Sequence, residues 1–185
     1  KMFINGEWTD SESKKTFQTL NPENNEPWAE VPEASEKDVD KAVKAAQIAF
    51  EGTWPKLFPK ERAKYLKAIA EQLRENAEHL GKIETIDTGK LFKETKTQAN
   101  YIAEYYDYYA GLADKVEGTV LPMDKANMQV ITTRVPIGVV AAIIPWNSQM
   151  LLTAVKLAPA LAMGNTVVIK SSELAPATLF ELGKL

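Results

Sequence analysis

Asn147, Lys170 and Glu173 are the side chains whose type and placement suggest chemistry. Asn147 ends the run Gly138-Val-Val-Ala-Ala-Ile-Ile-Pro145-Trp146-Asn147, where a carboxamide N–H can point into a cleft and donate to an oxygen. Lys170 and Glu173 close the run Gly164-Asn165-Thr-Val-Val-Ile-Lys170-Ser-Ser-Glu173, a donor and an acceptor suited to a vicinal diol. Each also has a plainer reading. Asn closes turns readily, Lys170 is then a solvated charge, and Glu173 precedes a helix expected from Pro176, whose dipole favours a carboxylate. The sequence has no cysteine, which excludes a cysteine nucleophile, disulfides and thiolate metal sites among these residues. The one histidine, His79, lies beside Glu78 and reads as solvated surface, so no Ser-His-Asp set forms around it.

The positioning elements follow from the pattern between these groups. Val139 to Ile144 is a continuous apolar run, as in a strand covered on both faces of a parallel sheet, and Pro145 stops it. Gln149 to Met163 has helical spacing through Leu151, Leu152, Val155 and Leu157, with Pro159 expected to bend or loosen the last turns. Gly164-Asn165 stops the helix, and Thr166 to Ile169 is a second strand. A βαβ crossover of this length returns a parallel neighbour, almost always right-handed. Both strands then end at one edge, bringing Pro145-Trp146-Asn147 beside Lys170-Ser-Ser-Glu173 where open α/β sheets bind ligands. The first strand-to-helix turn lacks G-x-G-x-x-G, so the ordinary dinucleotide fingerprint is absent.

Ile143-Ile144-Pro145-Trp146-Asn147, then Pro159-Ala-Leu-Ala-Met-Gly164-Asn165 and Lys170-x-x-Glu173, resemble the N-terminal half of an NAD(P)-dependent aldehyde dehydrogenase. The likeness runs over nearly the whole chain, through Phe3-Ile-Asn-Gly-Glu-Trp8, Asn21-Pro22, Glu61-Arg62 and Asp87-Thr-Gly89-Lys90. It implies that Asn147 is half of an oxyanion hole. It gives Lys170 and Glu173 the adenosine ribose of the cofactor, with Ser172 between them, and lets Ile143, Ile144, Pro145 and Trp146 approach through backbone and apolar contact. Trp146 is otherwise a large core residue. A carboxylate at the 2′-hydroxyl repels a 2′-phosphate, so NAD is expected over NADP. Asp87 resembles a position that helps hold a monovalent cation in some relatives, though it also reads as a turn carboxylate, and no metal site is assigned. Ser171-Ser172 stand where the family usually has Pro after the lysine. The family's catalytic cysteine, general-base glutamate and glycine-rich cofactor turn lie further on than Leu185.

Composition sets the remaining bounds. Of 185 residues, 45% are hydrophobic and 25% charged, ordinary for a soluble globular protein of one sizeable core. A net charge of −3 without a basic run argues against nucleic acid and anionic membrane as partners. Val135 to Trp146 is too short to span a bilayer, no apolar signal region follows Lys1, and a cytoplasmic location is expected. Residues 1 to 34 read as extended and turn structure. Ser35 with Asp38 resembles a capping box before Val39, Val43, Ala46 and Phe50. Further helices are expected from near Pro59, from Asn76 to before Gly89, and from about Thr95 to Leu112, the last bearing a tyrosine stripe that reads as packing. Thr119-Val-Leu and Met128 to Arg134 alternate as strands do.

The expected fold class is α/β, a Rossmann-like parallel sheet with βαβ units preceded by a helical N-terminal region, plus a β-arm for oligomerisation. Residues 1–117 and 137–185 would form an incomplete dinucleotide-binding domain, and 118–136 the arm. In the family such an arm packs on a neighbouring subunit, which implies a homodimer or homotetramer. Two functions follow: an oxidoreductase acting on a small-molecule aldehyde, or a non-catalytic nucleotide-binding or oligomerising fragment, which the missing cysteine favours for these residues alone.

Overall fold

Asn5-Gly6 joins strands β1 (Met2–Ile4) and β2 (Glu7–Thr9) into a two-residue antiparallel hairpin in the computed structural model, which describes residues 1–185. Both turn residues have positive φ, 55° and 77°, the pair of conformations that Asn-Gly adopts at least cost. A second hairpin pairs β3 (Thr16–Asn21) with β4 (Glu26–Pro32). These ribbons lead into helix α1 (Glu36–Glu51). The Asp38 carboxylate accepts from the Ser35 N–H at 2.8 Å and hydroxyl at 2.7 Å. It also accepts from Ser11 Oγ at 3.0 Å and the Glu12 N–H at 3.1 Å. Burial opposes its charge, but these donors outweigh burial and hold its pKa near 2. The expected cap therefore also ties the N-terminal segment to α1.

A short 3-10 turn (Trp54–Lys56) precedes α2 (Pro59–Glu75), α3 (Ala77–Thr88) and α4 (Phe92–Leu112). Gly89 ends α3 with φ 76°, as its place after the helix suggests. Leu66, Leu73, Leu80, Ile102 and Tyr106 form the core with alanines of α2, α4 and α5 (Gln149–Ala162). Small residues let the helices approach closely. At Gly81 a Cβ would lie 2.9 Å from the Lys96 backbone, and Thr95 Oγ1 donates to the Gly81 carbonyl at 2.8 Å. Of the tyrosines, Tyr106 is buried, Tyr105 and Tyr109 pack ring to ring, and Tyr101 and Tyr108 are exposed.

Strands β5 (Val120–Leu121) and β6 (Val130–Ile131) pair antiparallel. Strand β7 (Val139–Ile143) pairs parallel with β8 (Thr166–Lys170) across α5, and short helix α6 (Ala177–Leu182) follows. The chain is thus α/β with one Rossmann-like βαβ unit behind a helical region. Two expectations need correction. β7 is not covered on both faces: Ala141, Ile143 and Ile169 are open, because no third strand of this chain flanks the pair. His79 is not merely solvated, since its Nε2 lies 3.1 Å from Glu181 Oε2 on α6. Helix α5 continues through Pro159 to Ala162. No helix is long and apolar enough to cross a membrane.

Candidate active site at the carboxyl edge of the parallel strands

Three contacts hold the βαβ unit in register. Asn165, buried after α5, accepts the N–H groups of Ile137 at 2.7 Å and Gly138 at 3.1 Å, locking the helix exit to the entry of β7. Arg62 Nε donates to the Ala162 carbonyl at 3.0 Å, meeting the C-terminal end of α5 with a positive charge. Thr166 Oγ1 donates to the Ala46 carbonyl of α1 at 2.9 Å. With the entry fixed, the exit follows. Ile143 pairs with Lys170, and the Ile144 N–H donates to the Lys170 carbonyl at 3.0 Å.

The strand ends therefore meet as their lengths require. Ile143 is 70% exposed and Trp146 53%, an apolar platform at the edge, and Pro145 is exposed beside them. Ile144 is only 2% exposed, so it offers the edge its backbone and not its side chain. Asn147 stands in the exposed turn after β7, and its carboxamide makes no hydrogen bond within the chain. Lys170 Nζ and Glu173 Oε2 lie 2.7 Å apart, both exposed, and the ammonium's hydrogen bond lowers the carboxylate's pKa. Ser172 is buried, with its hydroxyl accepting the Leu174 N–H at 3.2 Å; it shapes the turn that presents Glu173. An open donor–acceptor pair beside an apolar platform suits a ribose and an adenine ring. A free carboxamide in the adjoining turn suits an oxygen that gains negative charge.

Behind Asn147 lies a polar layer that spacing alone does not reveal. Lys90 Nζ is hydrogen-bonded to the hydroxyl of Ser148. Glu84 of α3 is fully buried, and burial pushes its pKa up to about 7 against the opposing effects of Lys90 and the Met150 N–H. Asp87 is buried too, accepting from the Ala177 N–H at 2.7 Å and Thr19 Oγ1 at 3.1 Å; burial raises its pKa overall. It fastens α6 and β3 to α3. Asp87-Thr-Gly89-Lys90 stood out as a motif, but its partners are distant in sequence.

The Aldehyde dehydrogenase family model matches residues 8–185. The chain belongs to that family. It is 50% identical over its whole length to (Z)-2-((N-methylformamido)methylene)-5-hydroxybutyrolactone dehydrogenase of Acinetobacter baylyi and covers 38% of that protein. It is 42% identical to betaine aldehyde dehydrogenase of Bacillus subtilis, again over 100% of this chain and 38% of the relative. Betaine aldehyde dehydrogenase of Staphylococcus aureus, solved in complex with NAD+, superimposes with a TM-score of 0.94 at 38% identity, over 98% of this chain and 37% of that one. The family member described by these residues thus spans well under half the length of its relatives.

Proposed function

We propose that these residues are the front part of an NAD-dependent aldehyde dehydrogenase, and that the carboxyl edge of β7 and β8 is its oxyanion and adenosine-ribose site. The observation that carries the reading is the unpaired Asn147 carboxamide in the turn after β7, at the edge that also carries Lys170 and Glu173. The substrate is a small-molecule aldehyde, attacked by a cysteine that lies outside these residues. As the thiohemiacetal forms, negative charge develops on the former carbonyl oxygen, and the Asn147 N–H donates to it. A donor already standing where the charge appears is worth most, because little reorganisation is then needed. Ile143, Pro145 and Trp146 give the adenine an apolar face and Ile144 its backbone, while Lys170 and Glu173 hold the ribose diol with Ser172 supporting their turn. NAD, when bound, supplies the acceptor for the aldehyde hydride. Residues 1–117 with 137–185 belong to the dinucleotide-binding domain, and 118–136 form an arm that joins subunits of a homodimer or homotetramer. The location is cytoplasmic.

In the full-length enzyme, Asn147→Ala should lower the single-turnover rate of NADH formation by about 10²–10³-fold, the usual loss for one oxyanion donor. NAD affinity should remain near wild type, because this contact strengthens only as charge develops. A normal rate with a raised aldehyde KM would make Asn147 a ground-state binding residue and sink the assignment.

A further inference from the structure

We propose, on the oxyanion reading of Asn147, that Gln149 is a positioning residue for that donor: its side chain closes the turn that carries Asn147 and ties it to the buried start of α5. Pro145, Trp146 and Asn147 are exposed, whereas Ser148, Gln149 and Met150 are buried. An exposed turn between a strand and a helix is mobile unless something holds it. Gln149 Nε2 donates to the Pro145 carbonyl at 2.7 Å, a bond that spans Trp146, Asn147 and Ser148. Gln149 is itself 0% exposed, so packing holds the side chain that makes the bond.

The neighbouring contacts fix both ends of this closed turn. Before it, the Ile144 N–H donates to the Lys170 carbonyl at 3.0 Å and ties the end of β7 to β8. After Asn147, the Ser148 hydroxyl accepts from Lys90 Nζ, and the Ser148 carbonyl accepts the Leu152 N–H at 2.9 Å. A serine before a helix ordinarily closes the entry by accepting an N–H of the first turn. Ser148 makes no such bond, and Gln149 closes the turn instead, from the helix back to the strand end. Asn147 stands between these ties with its own carboxamide unpaired, so the backbone of the turn sets where it points. The other half of the Gln149 amide shows that packing alone does not account for a glutamine here. Its Oε1 is buried without a hydrogen-bond partner, which is costly, and an apolar side chain of the same length would avoid that cost.

The test uses the full-length enzyme with the best substrate from a panel of aliphatic and aromatic aldehydes. It reads single-turnover NADH formation, NAD affinity and melting temperature for Gln149→Met, Asn147→Ala and the Gln149→Met/Asn147→Ala double variant. Gln149→Met keeps the length but loses the donor, and should slow the single turnover about tenfold or more, since a small misplacement of a catalytic group is expensive. NAD affinity and melting temperature should stay near wild type, because the unpaired oxygen is removed together with the donor. In the Asn147→Ala background Gln149→Met should add nothing, because a residue acting through Asn147 has nothing left to position. Losses that multiply, or that follow melting temperature and NAD affinity down together, overturn the inference. An affected Asn147→Ala with an unaffected Gln149→Met overturns it alone, whereas an unaffected Asn147→Ala overturns the oxyanion reading and this inference with it. Should Gln149→Met not fold, Gln149→Asn, which withdraws the carboxamide by one methylene, is read in the same way.

Discussion

Lys170 and Glu173 neutralise one another across 2.7 Å, and on the proposed reading a ribose diol entering between them would exchange that contact for two charge-assisted hydrogen bonds. On that reading the acceptor sets the cofactor preference, because a carboxylate facing a 2′-phosphate would repel it while Lys170 alone would attract it. Glu173→Ser in the full-length enzyme should narrow the NAD:NADP ratio of kcat/KM by about tenfold or more, the scale of one hydrogen bond to a charged group. An unchanged ratio would show that Glu173 faces elsewhere. The placement of Asn147, Lys170 and Glu173 at one edge was legible because short local motifs end the two paired strands. The distant partners of Asn165, Arg62 and Lys90 were not. Arg62 acts on Ala162, a hundred positions along, and Lys90 on Ser148 across 58 positions, so their meaning exists only once the helices have packed.

Among elements, the helices and the parallel pair were legible because apolar period and strong stops agreed, as at Gly89 and Gly164-Asn165. The first hairpin was legible in principle, since Asn5-Gly6 is the strongest short turn signal, yet the strands it joins are three residues each and leave little pattern. The open side of β7 was not, because an apolar run reports what should be covered and not what is present. The β5–β6 ribbon shows the same tension most clearly. Val120 is 62% exposed and Ile131 59%, and a two-stranded ribbon alone is marginal in water. Its free edges invite pairing with another chain. Deleting Thr119 to Thr133 from the full-length protein should reduce its size in light scattering from an oligomer toward the monomer. A protein monomeric before deletion, or an oligomer unchanged after it, would defeat the arm's proposed role.

At the scale of the molecule, the buried core lies between α2, α3, α4 and α5, while the parallel strands that carry the site are open on the side where no further strand of this chain packs. These residues carry the proposed oxyanion donor and ribose clamp, but no thiol. The proposed aldehyde oxidation is therefore assigned to the full-length enzyme. The most direct test compares the full-length protein with the 185-residue chain, each purified and supplied with NAD and a panel of aldehydes, and follows NADH and carboxylate together. Equal yields of NADH and carboxylate are expected from the full-length protein on at least one aldehyde, and none from the 185-residue chain. NADH formed by the 185-residue chain above a no-protein control, or a folded full-length protein inert toward every aldehyde, would contradict this.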